Sequence, residues 1–192
     1  IPFPRTLHRK LMAMRDLGLD AVSAFGGLMH PEAAPYWPHP DVLRAANLNP
    51  DLPVDDVLHA EQALLRAGAA HLPLHVLIES PAAVQQAFAI AAHPRVQSIS
   101  FGLMDFVSAH GGAIPASAMQ SPGQFDHPLI ARAKCEITTA ALANGVVPTH
   151  NVSTELKDID VIRNDAKRAR QEFGYLRMWS IHPKQIVPII EA

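Results

Sequence analysis

From residue 70 to the end of the chain, short apolar runs alternate with stretches of helical periodicity, and no hairpin signal separates one run from the next. This rhythm limits the possible folds more than any single motif does. Strands that are each followed by a helix before the next strand begins pair in parallel, because a parallel partner is reached only through a crossover. The predicted strands are 74–79, 96–101, 146–149 and 176–181. Earlier in the chain, Leu7, Leu11 and Met14 fall at helical spacing over 5–17, with Gly18 as the stop. Residues 19–25 read as a short buried strand, and 55–67 as a helix closed by Gly68. Between these lies 28–53, where six prolines (Pro31, Pro35, Pro38, Pro40, Pro50 and Pro53) leave room only for a loop or lid.

Parallel strands in this rhythm build either a (β/α)8 barrel or a doubly wound sheet. No G-x-G-x-x-G or G-x-x-x-x-G-K-[ST] segment follows any strand, which argues against the doubly wound nucleotide binders and favours the barrel. A complete barrel takes about 250 residues, so a chain of 192 residues is expected to be one partial barrel domain over 1–192 with about three βα units absent. The start at Ile1 instead of methionine suggests a trimmed or incomplete chain.

The helix boundaries are marked by capping chemistry. Ser80 can accept from the first orphan amides and Pro81 suits the first turn, with Val84, Ala87, Phe88 and Ala91 as the expected buried stripe. Asp126 or His127 begins the next long helix with Pro128, burying Ile130, Ala133, Ile137 and Ala141 and stopping at Gly145. Asp158 opens another, with Ile162, Ala166, Ala169 and Phe173 buried and Gly174 as its stop. His182 and Pro183 head a last helix through Ile186, Ile189 and Ile190.

Charge and cysteine content narrow the function. Sixteen basic and eighteen acidic residues are mixed along the chain, for a net charge of −2, so no basic face for nucleic acid or an anionic membrane is expected. No apolar run approaches the roughly 20 residues of a membrane span and no signal peptide opens the chain, which points to the cytoplasm. The single cysteine, Cys135, has no partner for a disulfide or thiolate metal site and reads as a buried structural thiol.

Two acids stand out. Glu79 closes the apolar strand 74–79 immediately before the capping residue Ser80, and Asp105 follows the next strand at the equivalent point. A carboxylate after a strand is often only a helix cap, but two on consecutive strand tips make a divalent-cation site, as barrel enzymes assemble theirs. No H-x-x-x-H or H-E-x-x-H set suggests zinc, and no G-x-S-x-G suggests a serine hydrolase. His110, in the glycine-rich loop 108–115, and His150 lie at expected catalytic-face loops as candidate substrate-binding residues. Gly102 and Met104, beside Asp105, join them.

Three motifs in order, Leu77-Ile78-Glu79-Ser80-Pro81, Phe101-Gly102-Leu103-Met104-Asp105-Phe106 and Ser180-Ile181-His182-Pro183-Lys184-Gln185-Ile186, resemble the citrate lyase beta subunit group of the HpcH/HpaI aldolase superfamily. The resemblance implies a (β/α)8 barrel and a magnesium-dependent carbon–carbon lyase. Such an enzyme cleaves or forms a 3-hydroxy-acyl thioester, carried on coenzyme A or an acyl carrier protein, with a 2-oxo acid as the other product. It also implies homo-oligomers, often trimers or hexamers. Glu79 and Asp105 match the family's magnesium ligands and are the expected catalytic pair. In the segment Thr149–Asp158, Glu155 and Asp158 keep acids of the family's pattern, while His150 stands where the family has an aspartate. Glu155 is the candidate for an acid that completes a neighbouring subunit's site. The family's early Leu-Glu-Asp segment and its carboxylate-binding arginine have no counterpart. Two rival expectations therefore stand beside the lyase: a pyruvate-enolate aldolase of the same superfamily, and a non-catalytic barrel fragment or subunit that binds a partner.

Overall fold

The computed structural model describes residues 72–192 continuously, together with Val57, Glu61, Gln62, Leu65, Arg66 and Gly68. The expected helix 5–17, strand 19–25 and proline-rich lid 28–53 lie outside the described residues, as does most of helix 55–67. Residues 75–192 fall within one compact unit.

The described residues form an α/β fold on a four-stranded sheet. Its strands are β1 (Leu74–Ile78), β2 (Val96–Phe101), β3 (Val147–His150) and β4 (Arg177–Met178), and each lies beside its predecessor in sequence. The β2–β3 and β3–β4 pairs are parallel, with Ser98, Ile99 and Ser100 opposite Val147, Pro148 and Thr149, and with Thr149 and His150 opposite Arg177 and Met178. A doubly wound sheet reverses its strand order at a switch point, and this one does not among the described strands. Five of the six residues of β2 are buried, as expected of a strand covered on both faces.

Helices fill the crossovers. Between β1 and β2, α1 (Pro81–Gln85) and α2 (Ala87–Ala91) meet at Gln86, whose φ of −98° and ψ of 5° break the helix. Ala83, Val84, Ala87, Ile90 and Ala91 face inward, and Phe88, expected in the stripe, lies about 100° round from the centre of that face and is 49% exposed. After β2 come α3 (Leu103–Ser108), a 3-10 turn at Ala116–Met119, α4 (Gly123–Asp126) and the long α5 (Pro128–Ala143). After β3 comes α6 (Ile159–Gln171), capped by Asp158, whose side chain accepts from the amides of Asp160 and Val161. Gly145 and Gly174 end α5 and α6 at φ of +68° and +77°, a conformation that glycine adopts without strain.

The last strand is shorter than expected. Only Arg177 and Met178 join the ladder, extended by bonds from the Leu176 amide to the Pro148 carbonyl (3.1 Å) and from Trp179 to His150 (3.1 Å). β3 offers only four residues to pair with, so nothing among the described residues supports a longer run. His182 turns the chain as expected, its Nδ1 accepting from the Lys184 amide (3.1 Å). The final helix α7 (Ile186–Ile190) fully buries only Pro188; of its expected apolar stripe, Ile186 and Ile189 are half-buried and Ile190 is 75% exposed. Cys135 corrects another expectation: it is exposed, because α5 turns Lys134 inward and the next residue lies about 100° further round the helix.

Candidate functional site

Two strand tips create the site. At the end of β1, Ser80 leaves the sheet at φ −135° and ψ 159°, and its hydroxyl accepts from the Ala83 amide at 3.1 Å. This cap starts α1 at once and leaves Glu79 as the last residue before the turn. At the end of β2, the amide of Gly102 donates to the carbonyl of Ile78 at 2.8 Å, which brings the two tips abreast. Gly102 is then the N-cap of α3, whose first turn carries Asp105. A carboxylate there is favoured by the unsatisfied amides of the helix start.

The structure brings these two acids together. Burial pushes the Glu79 carboxyl up to about 7, and the adjacent Asp105 adds to this both by its charge and through a hydrogen bond between the two side chains. Two carboxyls can hydrogen-bond only if one keeps a proton, since like charges at that range cannot both ionise freely. A divalent cation would remove the conflict by replacing the proton. The donors fit magnesium, which takes one or two carboxylates with water and substrate oxygens completing its shell. Among the described residues no group of three or more His, Cys, Asp and Glu side chains forms a closed cage, so the protein's own share here is the acid pair.

The other candidates lie elsewhere or act differently. Met104 is 47% exposed beside Asp105. His110 holds its own helix end, Nδ1 donating to the Phe106 carbonyl at 2.6 Å while its ring packs 4.4 Å from that of Phe106. It lines a half-open cavity of about 270 Å³ with Pro81, Val84, Gln85, Leu129 and Arg132, and neither Glu79 nor Asp105 is part of that wall. Glu155 turns inward on its own loop, with one carboxylate oxygen accepting from the amides of Leu156 (2.9 Å), Lys157 (2.6 Å) and Asp158 (3.1 Å). Those backbone bonds hold its carboxyl below the usual carboxylate range.

His150 is fully buried and not on an open loop. Its Nδ1 donates to the Asn151 carbonyl at 2.9 Å, which leaves Nε2 as an acceptor for Lys134 Nζ at 2.6 Å. Neither ring nitrogen remains for a ligand. Burial holds the imidazole well below its ordinary pKa, and the neighbouring amine adds to the effect.

That contact belongs to a buried polar network absent from the sequence-based expectations. Lys134, 0% exposed, also donates to Gln124 Oε1 (3.3 Å) and sits 4.0 Å above the Phe125 ring, and burial drives its amine pKa well down. Gln124 Oε1 accepts in turn from Asn151 (2.8 Å), and Asp165 accepts from Ser153 (2.8 Å), from Gln124 Nε2 (3.2 Å) and from Ser121. Gln185 finishes the network, its amide nitrogen donating to the carbonyls of Ser153 (2.8 Å) and Glu155 (2.9 Å). The network braces the loop that leaves β3. One signal could have revealed it: Lys134 lies between Ile130, Ala133 and Ile137, on the apolar stripe where a lysine survives only with partners.

Comparison with known proteins identifies the family. The family model described as HpcH/HpaI aldolase/citrate lyase matches residues 51–183. A citrate lyase from Burkholderia xenovorans LB400 is 56% identical, with a TM-score of 0.67 over 71% of this chain and 43% of its own. The L-malyl-CoA/beta-methylmalyl-CoA lyase of Cereibacter sphaeroides is 31% identical over 125 residues, which are 60% of this chain and 39% of the relative. The citrate lyase beta subunit of Mycobacterium tuberculosis, complexed with oxaloacetate and magnesium, shares the fold at 22% identity, with a TM-score of 0.53 over 71% of this chain and 66% of its own. The chain thus spans about two fifths of the length of the curated relatives it matches. With most of its length matched by the family model, the chain belongs to the HpcH/HpaI aldolase/citrate lyase family.

Proposed function

We propose that this chain carries the metal-holding part of a magnesium-dependent carbon–carbon lyase on a (β/α)8 barrel. The reaction is the reversible Claisen-type cleavage of a 3-hydroxy-acyl thioester to a 2-oxo acid and an acyl thioester. The observation that carries this reading is the meeting of the Glu79 and Asp105 carboxyls where the Gly102 amide ties the ends of β1 and β2 together. The sequential strand order supports the barrel, and the relatives' names, malyl-CoA lyase and citrate lyase, support thioester chemistry. The magnesium and oxaloacetate of the mycobacterial protein support the metal and a 2-oxo acid ligand.

Glu79 and Asp105 would hold the ion, which when bound supplies Lewis-acid stabilisation of the developing enolate oxygen. The chain's own work is to hold two carboxylates together, one just after β1 and one in the first turn of α3, with Ser80 and Gly102 fixing the turns behind them. Glu79 releases its proton as the site is filled, so loading is favoured as the pH rises through neutrality. Met104 and Gly102, beside Asp105, are the proposed neighbours of the substrate, and coenzyme A or an acyl carrier protein is its proposed carrier. The working enzyme is proposed to be a cytoplasmic homo-oligomer.

The test is cleavage of citryl, citramalyl and malyl thioesters, with the free hydroxy acids as controls, by the wild type and by Glu79→Gln. Magnesium-dependent cleavage of a thioester, lost in the variant, is expected. Turnover of free hydroxy acids alone would point to a pyruvate-enolate aldolase, and activity unchanged in Glu79→Gln would overturn the assignment.

A further inference from the structure

Gly102 has no conformational reason to be glycine. Its φ of −96° and ψ of 82° lie on the negative-φ side, outside the left-handed region that favours glycine. Space supplies the reason. A Cβ built on Gly102 would fall 2.5 Å from Glu79 Cγ, 2.5 Å from Glu79 Oε1 and 2.9 Å from Glu79 Cδ, closer than carbon atoms pack. The acid side chain therefore lies directly across the glycine Cα, in the volume that any other residue would fill. The contact is held from below by the bond from the Gly102 amide to Ile78, the residue just before Glu79.

We propose that Gly102 is a positioning residue: its missing side chain is the slot in which the Glu79 carboxylate lies, and so it sets the geometry of the acid pair. The inference rests on the metal reading above for its functional meaning, while the slot itself is geometric. It also gives Gly102 a role through Glu79 in addition to its proposed place beside the substrate.

The three nearest atoms all belong to the Glu79 side chain, so an alanine at 102 would displace the carboxylate without unfolding the strand tip. Gly102→Ala is expected to keep a melting temperature near that of the wild type while weakening Mg2+ binding, measured by calorimetry without substrate, by about 10- to 100-fold, as for other changes just behind a metal ligand. In a Glu79→Gln background the same glycine change should have little further effect on residual Mg2+ affinity, because the two act through one group. A crystal structure of metal-free Gly102→Ala should show the Glu79 side chain swung off its present position.

Each failure has a distinct meaning. If the wild type binds no Mg2+, the metal reading falls, and the metal-free structure of Gly102→Ala still judges the slot. If the wild type binds Mg2+ and Gly102→Ala binds it equally well, or Glu79 has not moved, the positioning role is overturned. Additive losses in the double variant would also overturn it.

Discussion

Acidification should destabilise this protein through His150, and replacing that residue with glutamine should remove the effect. The imidazole is fully buried, donates through Nδ1 to Asn151 and accepts through Nε2 from Lys134, so the folded chain holds it neutral well below its ordinary pKa. In the unfolded chain it titrates near the usual value of about 6.5. A folded-state pKa below the unfolded one means that the unfolded state binds the proton first. The stability attached to the neutral ring is therefore present above about pH 6.5 and drains away as the pH falls, with a slope approaching about 1.4 kcal/mol per pH unit. Between about pH 7.5 and pH 5 the loss integrates to about 2 kcal/mol if the folded imidazole stays neutral throughout. Urea unfolding of wild type and His150→Gln across that range measures it. Glutamine can still accept from Lys134, so the buried lysine keeps a partner and its own pH dependence stays in both curves. The variant should start less stable, since it loses the stack on Phe125 at 5.3 Å, but the gap should narrow by about 2 kcal/mol on acidification. Two curves that fall in parallel would mean that His150 takes up its proton in the folded state, refuting the neutral buried ring.

Glu79 has the opposite linkage. Its folded pKa near 7 lies above the ordinary 4.5, so the stability tied to its proton is present below about 4.5 and lost as the pH rises through 7. Glu79→Gln should thus stabilise the metal-free protein above neutrality, by about 1 kcal/mol once solvent screening of this partly exposed group is allowed for, and do nothing near pH 4 in the same urea assay. Calorimetry of Mg2+ binding in buffers of different ionisation enthalpy should show proton release near neutral pH, and none from Glu79→Gln. Glu155→Gln should lower the melting temperature, because its carboxylate caps three amides, while leaving Mg2+ affinity unchanged; a loss of Mg2+ affinity would restore Glu155 to the site. Its depressed pKa makes that cap's contribution present above 4.5 and lost as the pH falls through the folded value. Ser80→Ala should cost about 1 kcal/mol by removing the N-cap of α1, and equal stability would show that Ala83's amide finds another acceptor.

Much of the site was legible because it depends on local rules. A serine followed by proline after an apolar strand sets a helix start, so Glu79 had to stand at a strand tip; Asp105, expected at the equivalent point after β2, lies instead in the first turn of α3, three residues after its N-cap Gly102. Gly145 and Gly174 at positive φ, and Asp158 capping α6, follow from backbone conformations that few residues satisfy. The histidines were not legible in this way. Whether His150 faces a ligand or a lysine depends on which side chain a helix sixteen residues earlier sends inward, and the spacing along β3 carries no record of that.

The sequence by itself determined the α/β class, the order of its strands and the two acids on their tips, because alternating apolar periods, caps and turn residues act over a few positions along the chain. Only the tertiary structure decided that those acids meet closely enough to raise the Glu79 pKa and that Glu155 bonds to its own loop. It also decided that Lys134 is drawn into the core and that Gly102 must be small because Glu79 lies across it. Apart from the local turn at Glu155, those are contacts between residues far apart in the chain, where burial and close packing set the charge state and the available space.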